Sequence, residues 1–423
     1  MIHYREFTLG NGLRGIVHED PTSALAVVNV LYDVGAKDEA AGRTGFAHLF
    51  EHLMFSGSVN VPSYDEPLQR VGGENNAFTS QDLTNYYLSL PAANIETGFW
   101  LESDRMLSLA FSEQGLDVQR KVVVEEFKQH YLNEPYGDVW LKLYPAAYTT
   151  HPYRWPTIGQ EPSHIETATM ADVRAFFQKH YAPQNAILVV AGGVTYDEAY
   201  RLAEKWFGPI PGGAPYRREL PAEPRQTEAR HLEITADVPA AALYKVWHMP
   251  GRADLQGYYP ADLLSDILGR GKSSRLYQAL VQDRQLFTGL SASVSGTIDD
   301  GLLVVSGKVR EGKTIEEADA AVAEVIEELR CHGVSAHELT KVRNQAESTL
   351  MFGEVELLNR AINLATSKLL GDAELVNTEA DRIRAVTLEA ANAAAREVLR
   401  PENCTTLFYR MKSNVVGSVP EPV

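Results

Sequence analysis

Cysteine is scarce in this chain, and so are long apolar runs. The 423 residues include two cysteines, Cys331 and Cys404. A pair of cysteines does not make a disulfide framework or a cysteine-based metal site. No apolar run reaches the ~20 residues that a membrane-spanning helix needs. The sequence therefore excludes a small disulfide-stapled protein and predicts no transmembrane segment.

Positive charge is also in short supply. The chain carries 39 lysine and arginine residues against 56 aspartate and glutamate residues, a formal net charge of -17. Such a balance argues against a nucleic-acid partner. It is compatible with neutral or basic peptides, although acidic surfaces also simply keep proteins in solution. The start, Met1 to Glu6, lacks the basic and apolar regions of a signal peptide. We therefore expect a cytoplasmic protein, or a periplasmic one if a signal peptide was removed.

The length and the order of predicted elements indicate two similar halves. At 423 residues the chain is too long for one ordinary hydrophobic core. Strand and helix patterns follow each other along residues 1–208 and again along 229–423, with a Pro- and Gly-rich linker at 209–228. We predict an α+β fold in which each half is a mixed or antiparallel sheet packed with helices. The likeness of the halves suggests an internal duplication.

The stretch from Thr44 to Phe55 carries the most distinctive chemistry. Apolar residues surround two histidines and a glutamate there, without a proline, which predicts a mostly buried helix. At about 3.6 residues per turn, His48 and His52 lie one turn apart on the same face. Two imidazoles at that spacing can bind one Zn²⁺ ion, and Glu51 would lie beside a water molecule that the metal activates. The order H-x-x-E-H is the inverzincin signature.

A cluster of this kind also has an explanation without metal. Backbone carbonyls or a neighbouring arginine would satisfy the two histidines and the glutamate. Zinc explains the cluster more simply, because a buried His-Glu-His group is costly unless something pairs it.

The second half lacks such a cluster. When the two halves are aligned, Asp262, Ser265 and Asp266 fall opposite His48, Glu51 and His52, respectively. The helix is predicted there, but its metal-binding chemistry is absent. We therefore predict one metal site, in the first half.

A catalytic zinc ion usually has three protein ligands and one open position. Two histidines on one helix therefore call for a third ligand from another element. A later predicted helix that includes residues 122–127 has two candidates, Glu125 and Glu126. Spacing alone does not choose between them.

With these motifs the chain resembles the family of pitrilysin, insulin-degrading enzyme and the mitochondrial processing peptidase. The resemblance covers nearly the whole chain, and the H-x-x-E-H helix with a glutamate on a later helix is its most specific part. The matching residues are Asn11–Leu13, Gly45–His52, Gly72–Gly73, Asn76–Ala77, Thr79, Arg120–Glu126, His151–Tyr153, Ile158–Gly159 and Gly271–Leu276. In length the chain is similar to the short bacterial members built from two halves.

The resemblance implies roles for the candidate residues. His48, His52 and Glu126 would be the zinc ligands, with Glu125 as the less favoured third ligand. Glu51 would be the general base that takes a proton from the attacking water.

The resemblance also implies residues around the metal. Asn76 and Ala77 would lie in an edge strand to which a substrate peptide adds as a further strand, and an ordinary turn and edge strand is the alternative. Gln119 stands where the family usually has a second glutamate that supports the site. A glutamine can still hydrogen-bond a ligand histidine but brings no charge.

The largest departure from the family lies in the second half. Active members carry an arginine and, seven residues later, a tyrosine, and both reach the substrate and the tetrahedral intermediate. Alignment on Ser273–Leu276 places Val281 and Thr288 at those positions, and Arg284 lies too close to Thr288 to fit the spacing. Neither role can be filled, and losing such donors typically costs ~10²- to 10³-fold in rate.

We therefore predict a zinc metallo-endopeptidase subunit that hydrolyses peptides or unfolded polypeptides. A related partner subunit would supply the missing arginine and tyrosine, as in the heterodimeric members of the family. Two alternatives stay open. One is a self-sufficient homodimeric peptidase, and the other is a non-catalytic peptide-binding or assembly subunit.

Overall fold

The structure is a computed structural model that describes residues 1–213 and 217–412. Its contacts divide the chain into two compact units, and each unit is assembled from three segments. The first unit consists of Met1–Leu132, Tyr148–Pro224 and Arg343–Ala385. The second consists of Asn133–Ala147, Arg225–Val342 and the segment that begins at Val386.

Strands and helices are numbered here in chain order. The strands are β1 (Arg5–Thr8), β2 (Arg14–Glu19), β3 (Leu25–Tyr32), β4 (Glu74–Thr79), β5 (Thr84–Pro91), β6 (Ala186–Gly192), β7 (Arg230–Ala236), β8 (Ala242–Met249), β9 (Phe287–Val294), β10 (Gly301–Val309) and β11 (Cys404–Met411). The helices are α1 (Phe46–Leu53), α2 (Asp65–Arg70), α3 (Ile95–Leu107), α4 (Glu113–Phe127), α5 (Val139–Ala147), α6 (Pro162–Glu166), α7 (Met170–His180), α8 (Tyr196–Trp206), α9 (Leu255–Gly269), α10 (Ile315–His332), α11 (Ala336–Gly353), α12 (Leu357–Leu369), α13 (Leu375–Ala385) and α14 (Leu388–Val398).

The first unit contains a six-stranded sheet in the order β1-β2-β6-β3-β5-β4. Strand β2 runs parallel to β6, and the other neighbours are antiparallel. The apolar run of β3 is buried along almost its whole length, as expected of a central strand covered on both faces. In β4, exposed and half-buried residues alternate, and the strand forms an outer edge of the sheet.

The second unit repeats this plan. Its five-stranded sheet has the order β7-β11-β8-β10-β9, with β7 parallel to β11 and antiparallel neighbours elsewhere. This order matches β2-β6-β3-β5-β4 strand for strand, and β1 is the extra strand of the first sheet. Helix α9 follows β8 as α1 follows β3. The predicted α+β fold with two similar halves is confirmed.

The two units differ from the predicted continuous halves, 1–208 and 229–423, because each takes a segment from the other half, Asn133–Ala147 in the second unit and Arg343–Ala385 in the first. Helices α12 and α13 come from the second half of the sequence but belong to the first unit. The apolar face of α12, with Ala361, Leu364 and Ala365, packs on Val27, Leu31, Ile187 and Val189 of the first sheet. This packing buries an apolar face that a helix cannot leave in water, and it explains why the first unit is not continuous in sequence.

The predicted linker at residues 209–228 is partly anchored. Residues 214–216 of it lie outside the described residues. Beyond them, Arg218 forms ion pairs with Asp33 (2.8 Å) and Asp38 (2.7 Å) in the first unit. Glu223 accepts backbone hydrogen bonds from the segment Thr149–His151. These contacts assign the stretch up to Pro224 to the first unit.

Apolar helices are short in this fold. No helix in the described ranges, 1–213 and 217–412, combines the length and the apolar character needed to cross a membrane.

Candidate metal centre

Helix α1 presents the H-x-x-E-H residues on one side and buries the other. Phe46, Leu49 and Phe50 are buried, whereas both histidines and Glu51 of the motif are only partly covered. The helix starts at Gly45, which has φ +88 and therefore a left-handed backbone that favours glycine. A Cβ atom at this position would lie 2.5 Å from the carbonyl oxygen of Ile158, so the two backbone segments can approach this closely only because residue 45 is glycine.

A buried carboxyl group, that of Glu39, holds the N-terminus of this helix. Glu39 accepts hydrogen bonds from the backbone N–H groups of Gly45 and Ala47, both at 2.8 Å. Both donors are among those that a helix start leaves without an intrahelical partner. Glu39 could not be recognised from the sequence, because its only signal is an acidic residue a few positions before the helix.

Three predicted ligand side chains converge beside α1. The Nε2 atom of His48 lies 3.2 Å from Oε2 of Glu126 on α4, and Nε2 of His52 lies 3.4 Å from the same oxygen. Ligands of one tetrahedral zinc ion, at about 2.0–2.2 Å from it, stand about 3.3–3.6 Å apart. The two separations, 3.2 and 3.4 Å, lie at or close to that range.

The donor set also suits zinc. Two imidazole nitrogens and one carboxylate oxygen lie within 4.8 Å of one another. Across the part of the chain that the structure describes, this is the one group of three histidine, cysteine or acidic side chains so arranged. Two histidines and a glutamate that leave further positions open match a catalytic rather than a structural zinc site.

The electrostatics of the cluster favour a cation. Burial opposes the charged imidazolium, but the interactions with Glu126 and Glu51 outweigh it and raise the pKa of His48 to about 9. Hydrogen bonds with His48 and His52 hold the pKa of Glu126 well below its ordinary value. A proton on His48 therefore offsets one of the two carboxylate charges at neutral pH, and a metal ion would supply positive charge in its place.

Glu51 lies beside the cluster and is not one of the three converging groups. Its Oε2 atom stands 3.7 Å from Nδ1 of His48 and accepts a hydrogen bond from the hydroxyl of Thr79 at 2.5 Å. Burial alone would raise the pKa of Glu51, but the interactions with His48 and Thr79 lower it. The side chain is thus ionised at neutral pH, the state that a general base requires.

The structure separates the two candidates for the third ligand. Glu126 faces α1, whereas the exposed Glu125 accepts a hydrogen bond from Lys128 at 2.7 Å. The less favoured choice of Glu125 is therefore wrong for this geometry. Gln119 is half-buried on the same helix, and within the described residues no hydrogen bond joins it to the three converging groups. Its supporting role stays a prediction.

Asn76 and Ala77 lie in the middle of the edge strand β4. They pair with Tyr87 and Tyr86 of β5, and the other side of β4 has no neighbouring strand within the described part of the sheet. The N–H group of Ala77 donates to Oδ1 of Asn76 at 2.8 Å. The side chain of Asn76 thus occupies a backbone donor that an added strand would use.

The corresponding region of the second unit has different chemistry. On α9, Asp266 forms an ion pair with Arg270 at 2.9 Å, and the buried Ser265 donates to the carbonyl of Asp262. Val281 is buried, and Thr288 is exposed on the edge strand β9. The predicted absence of an arginine and tyrosine at these two positions is a property of the sequence.

The first unit combines an H-x-x-E-H helix with a glutamate from a second helix, and the two units have sheets of matching topology. These features define the class of inverzincin-type proteins. Comparison with known proteins identifies the family. The profile described as Insulinase (Peptidase family M16) matches residues 14–161, and the profile of the Peptidase M16 inactive domain matches residues 167–346. The chain belongs to peptidase family M16.

Individual relatives agree with this assignment. The chain is 29% identical to the zinc protease PqqE of Helicobacter pylori, over 80% of this chain and 78% of the relative. It is 25% identical to the uncharacterized zinc protease YmxG of Bacillus subtilis, over 96% and 98% of the two chains. The crystal structure of a protease from Helicobacter pylori superimposes with a TM-score of 0.90 at 26% identity, over 97% of this chain and 100% of the other.

Proposed function

We propose that this chain is the zinc-binding, catalytic subunit of a metallo-endopeptidase that hydrolyses peptides or unfolded polypeptides. The observation that carries the proposal is the convergence of His48, His52 and Glu126, with Glu51 beside them. The separations of the Glu126 oxygen from the two histidine nitrogens, 3.2 and 3.4 Å, are close to those expected around one tetrahedral zinc ion. The relatives named as zinc proteases support the same conclusion.

His48, His52 and Glu126 would hold the zinc ion through Nε2, Nε2 and Oε2. The bound ion would act as a Lewis acid toward a water molecule and toward the carbonyl group of the substrate. Glu51 would accept the proton of the attacking water and later deliver it to the nitrogen of the leaving amine. The ionised state and the partial exposure of Glu51 suit this exchange of a proton.

The outer edge of β4 would bind the substrate. A peptide that adds as a further strand gains backbone hydrogen bonds that do not depend on its sequence. The side chain of Asn76 would release the N–H group of Ala77 and turn toward the peptide backbone. The exposed Phe78 on the same strand would contact substrate side chains. Gln119 would support the metal ligands by a hydrogen bond to a ligand histidine.

The absence of the arginine and the tyrosine supports the participation of a second polypeptide in the active enzyme. With Val281 and Thr288 at the aligned positions, this chain offers no donor there for the negative oxygen of the tetrahedral intermediate. A related partner subunit would supply the pair. A homodimer would repeat the same deficit in both copies, so a heterodimer accounts better for the two residues.

The test measures zinc and peptide hydrolysis in one sample. Purified chain should bind about one zinc ion, as three converging ligands require, and should cleave a quenched fluorescent peptide library slowly. A related chain with the arginine and tyrosine should raise the rate by ~10²- to 10³-fold. Fast hydrolysis by the isolated chain, with light scattering that shows a dimer, would favour a homodimeric peptidase. Zinc binding without turnover alongside every such partner would refute catalysis.

A further inference from the structure

We infer that Thr79 is a positioning residue that connects the substrate-binding strand β4 to the general base Glu51. The inference rests on the proposed function and adds a residue to it. A single hydrogen bond, from the Thr79 hydroxyl to Oε2 of Glu51 at 2.5 Å, joins the two elements. Strand β4 thereby contributes to both the binding and the chemistry of the site.

The alternation of exposed and half-buried side chains along β4 explains why the Thr79 hydroxyl reaches Glu51. Glu74, Asn76 and Phe78 are exposed on one face, whereas Ala77 and Thr79 on the other face are half-buried. Thr79 is the last residue of the strand, and helix α1 packs against β4. A side chain one position earlier or later would point away from Glu51, because successive residues of a strand face opposite sides.

The backbone at Thr79 is held firmly. Thr79 pairs with the buried Thr84 of β5 at the end of the ladder. The turn that follows is closed by a hydrogen bond from the N–H of Ser80 to the carbonyl of Leu83 at 2.9 Å. The hydroxyl of Ser80 accepts two further backbone bonds within this turn. The Thr79 hydroxyl is therefore presented from a fixed position.

This hydrogen bond distinguishes the two oxygens of the Glu51 carboxylate. Oε2 accepts from Thr79 and is the oxygen nearest to Nδ1 of His48. Within the described residues, no protein group donates a hydrogen bond to Oε1. Rotation of a terminal carboxylate is otherwise broad, and Thr79 restricts it. Oε1 is then the oxygen presented to the attacking water.

The link between substrate binding and the general base follows from the position of β4 at the edge of the sheet. A peptide that binds along the outer edge of β4 is fixed relative to Asn76 and Ala77. The same strand, two residues further on, fixes the carboxylate that removes the proton. Substrate and base are therefore positioned by one rigid element, which is the condition for efficient general base catalysis. Loss of the Thr79 hydroxyl should reduce turnover and leave peptide binding intact.

The experiment compares Thr79→Val, which keeps the shape and removes the hydroxyl, with Thr79→Ser, which keeps the hydroxyl. Both are assayed as zinc-loaded chain together with the partner subunit if the wild type needs one. Thr79→Val should lower kcat by about ten- to a hundredfold with KM nearly unchanged, because general base catalysis typically contributes ~10²- to 10⁴-fold. Thr79→Ser should retain most of kcat.

Two further measurements exclude a merely structural role. The zinc content and the thermal unfolding midpoint of Thr79→Val should equal those of the wild type. Its Kd for a peptide with a non-cleavable bond, measured by fluorescence anisotropy, should also be unchanged. Equal kcat in Thr79→Val and wild type would overturn the inference, as would equal loss in Thr79→Ser. A zinc-loaded wild type without turnover alongside any partner would instead refute the proposed function.

Discussion

Glu125 and Glu126 are adjacent on helix α4 and face different surroundings. The carboxylate of Glu126 lies 3.2 Å from Nε2 of His48, whereas that of Glu125 pairs with the exposed Lys128 at 2.7 Å. Side chains of neighbouring helical residues point in directions about 100° apart, so only one of the two can face the metal centre. The pair thus provides a matched experiment on the same helix.

Glu126→Gln should weaken zinc binding by more than about a hundredfold, because loss of even an outer-shell partner typically costs ~10- to 100-fold. Glu125→Gln removes the same charge one residue away and should bind zinc like the wild type. Competition with a chromophoric chelator measures both affinities. If the two variants bound zinc equally well, the assignment of Glu126 as a ligand would be wrong.

Glu51→Gln should retain zinc and lose hydrolysis. The amide cannot accept the proton of the attacking water, so the rate should fall by at least ~10²- to 10⁴-fold. The three proposed ligands are untouched, and zinc content should therefore stay near that of the wild type. Glu125→Gln serves as a control here as well, since it leaves both the base and the ligands in place. Loss of zinc from Glu51→Gln would show that Glu51 helps to hold the metal.

The buried hydrogen bonds that Glu39 accepts at the start of α1 predict that its substitution lowers both the stability of the fold and the affinity for zinc. In Glu39→Gln, the amide nitrogen cannot accept a hydrogen bond, so one of the two backbone donors at Gly45 and Ala47 loses its acceptor. Leaving a buried donor without a partner costs about 1–3 kcal/mol. Thermal unfolding should show that loss, and zinc affinity should fall with it because α1 carries two of the proposed ligands.

The matched control for Glu39 is Glu113, an exposed carboxylate in the first turn of α4. Glu113→Gln makes the same side-chain change near a helix N-terminus, but water can replace its interactions. Its effect should stay within ~0.3–1 kcal/mol. Comparable losses in the two variants would mean that the buried hydrogen bonds do not account for the effect of Glu39.

Local patterns in the sequence predicted much of the fold. Helix α1 lies within the stretch Thr44–Phe55 that was predicted to be helical, and α4 contains residues 122–127 of the later predicted helix. These patterns are reliable because burial imposes a period on each element independently of the rest of the chain. The repeat of the sheet was also visible, since each half has its own strands and a helix that follows one of them, α1 after β3 and α9 after β8.

Long-range packing was beyond the reach of such patterns. The apolar residues of α12 predict that one face of this helix is buried, but they do not show that this face packs on the first sheet. In the same way, nothing near Glu39 or Arg218 indicates that one caps α1 and the other pairs with Asp33 and Asp38. The H-x-x-E-H motif was accessible because its chemistry lies within one helix, whereas the choice between Glu125 and Glu126 required the family resemblance.

A buried histidine predicts how the packing of α12 depends on pH. Nδ1 of His18 lies 2.7 Å from the carbonyl oxygen of His3, and Nε2 lies 2.8 Å from Nη1 of Arg360 on α12. The neutral ring donates to the carbonyl and accepts from the guanidinium, which also pairs with Asp20 at 3.0 Å. Burial lowers the pKa of His18 below its ordinary value, and the charge of Arg360 lowers it further.

Protonation of His18 would place two donors face to face. Because its folded pKa lies below the unfolded value of about 6.5, this group contributes stability above that pH and loses it as the pH falls. Amides of α12 should therefore exchange hydrogen faster at pH 5.5 than at pH 7.5, after correction for intrinsic rates. His18→Gln, which can donate and accept without titrating, should remove part of that difference, whereas the exposed His337→Gln should keep it. An unchanged pH dependence in His18→Gln would show that other groups control the packing of α12.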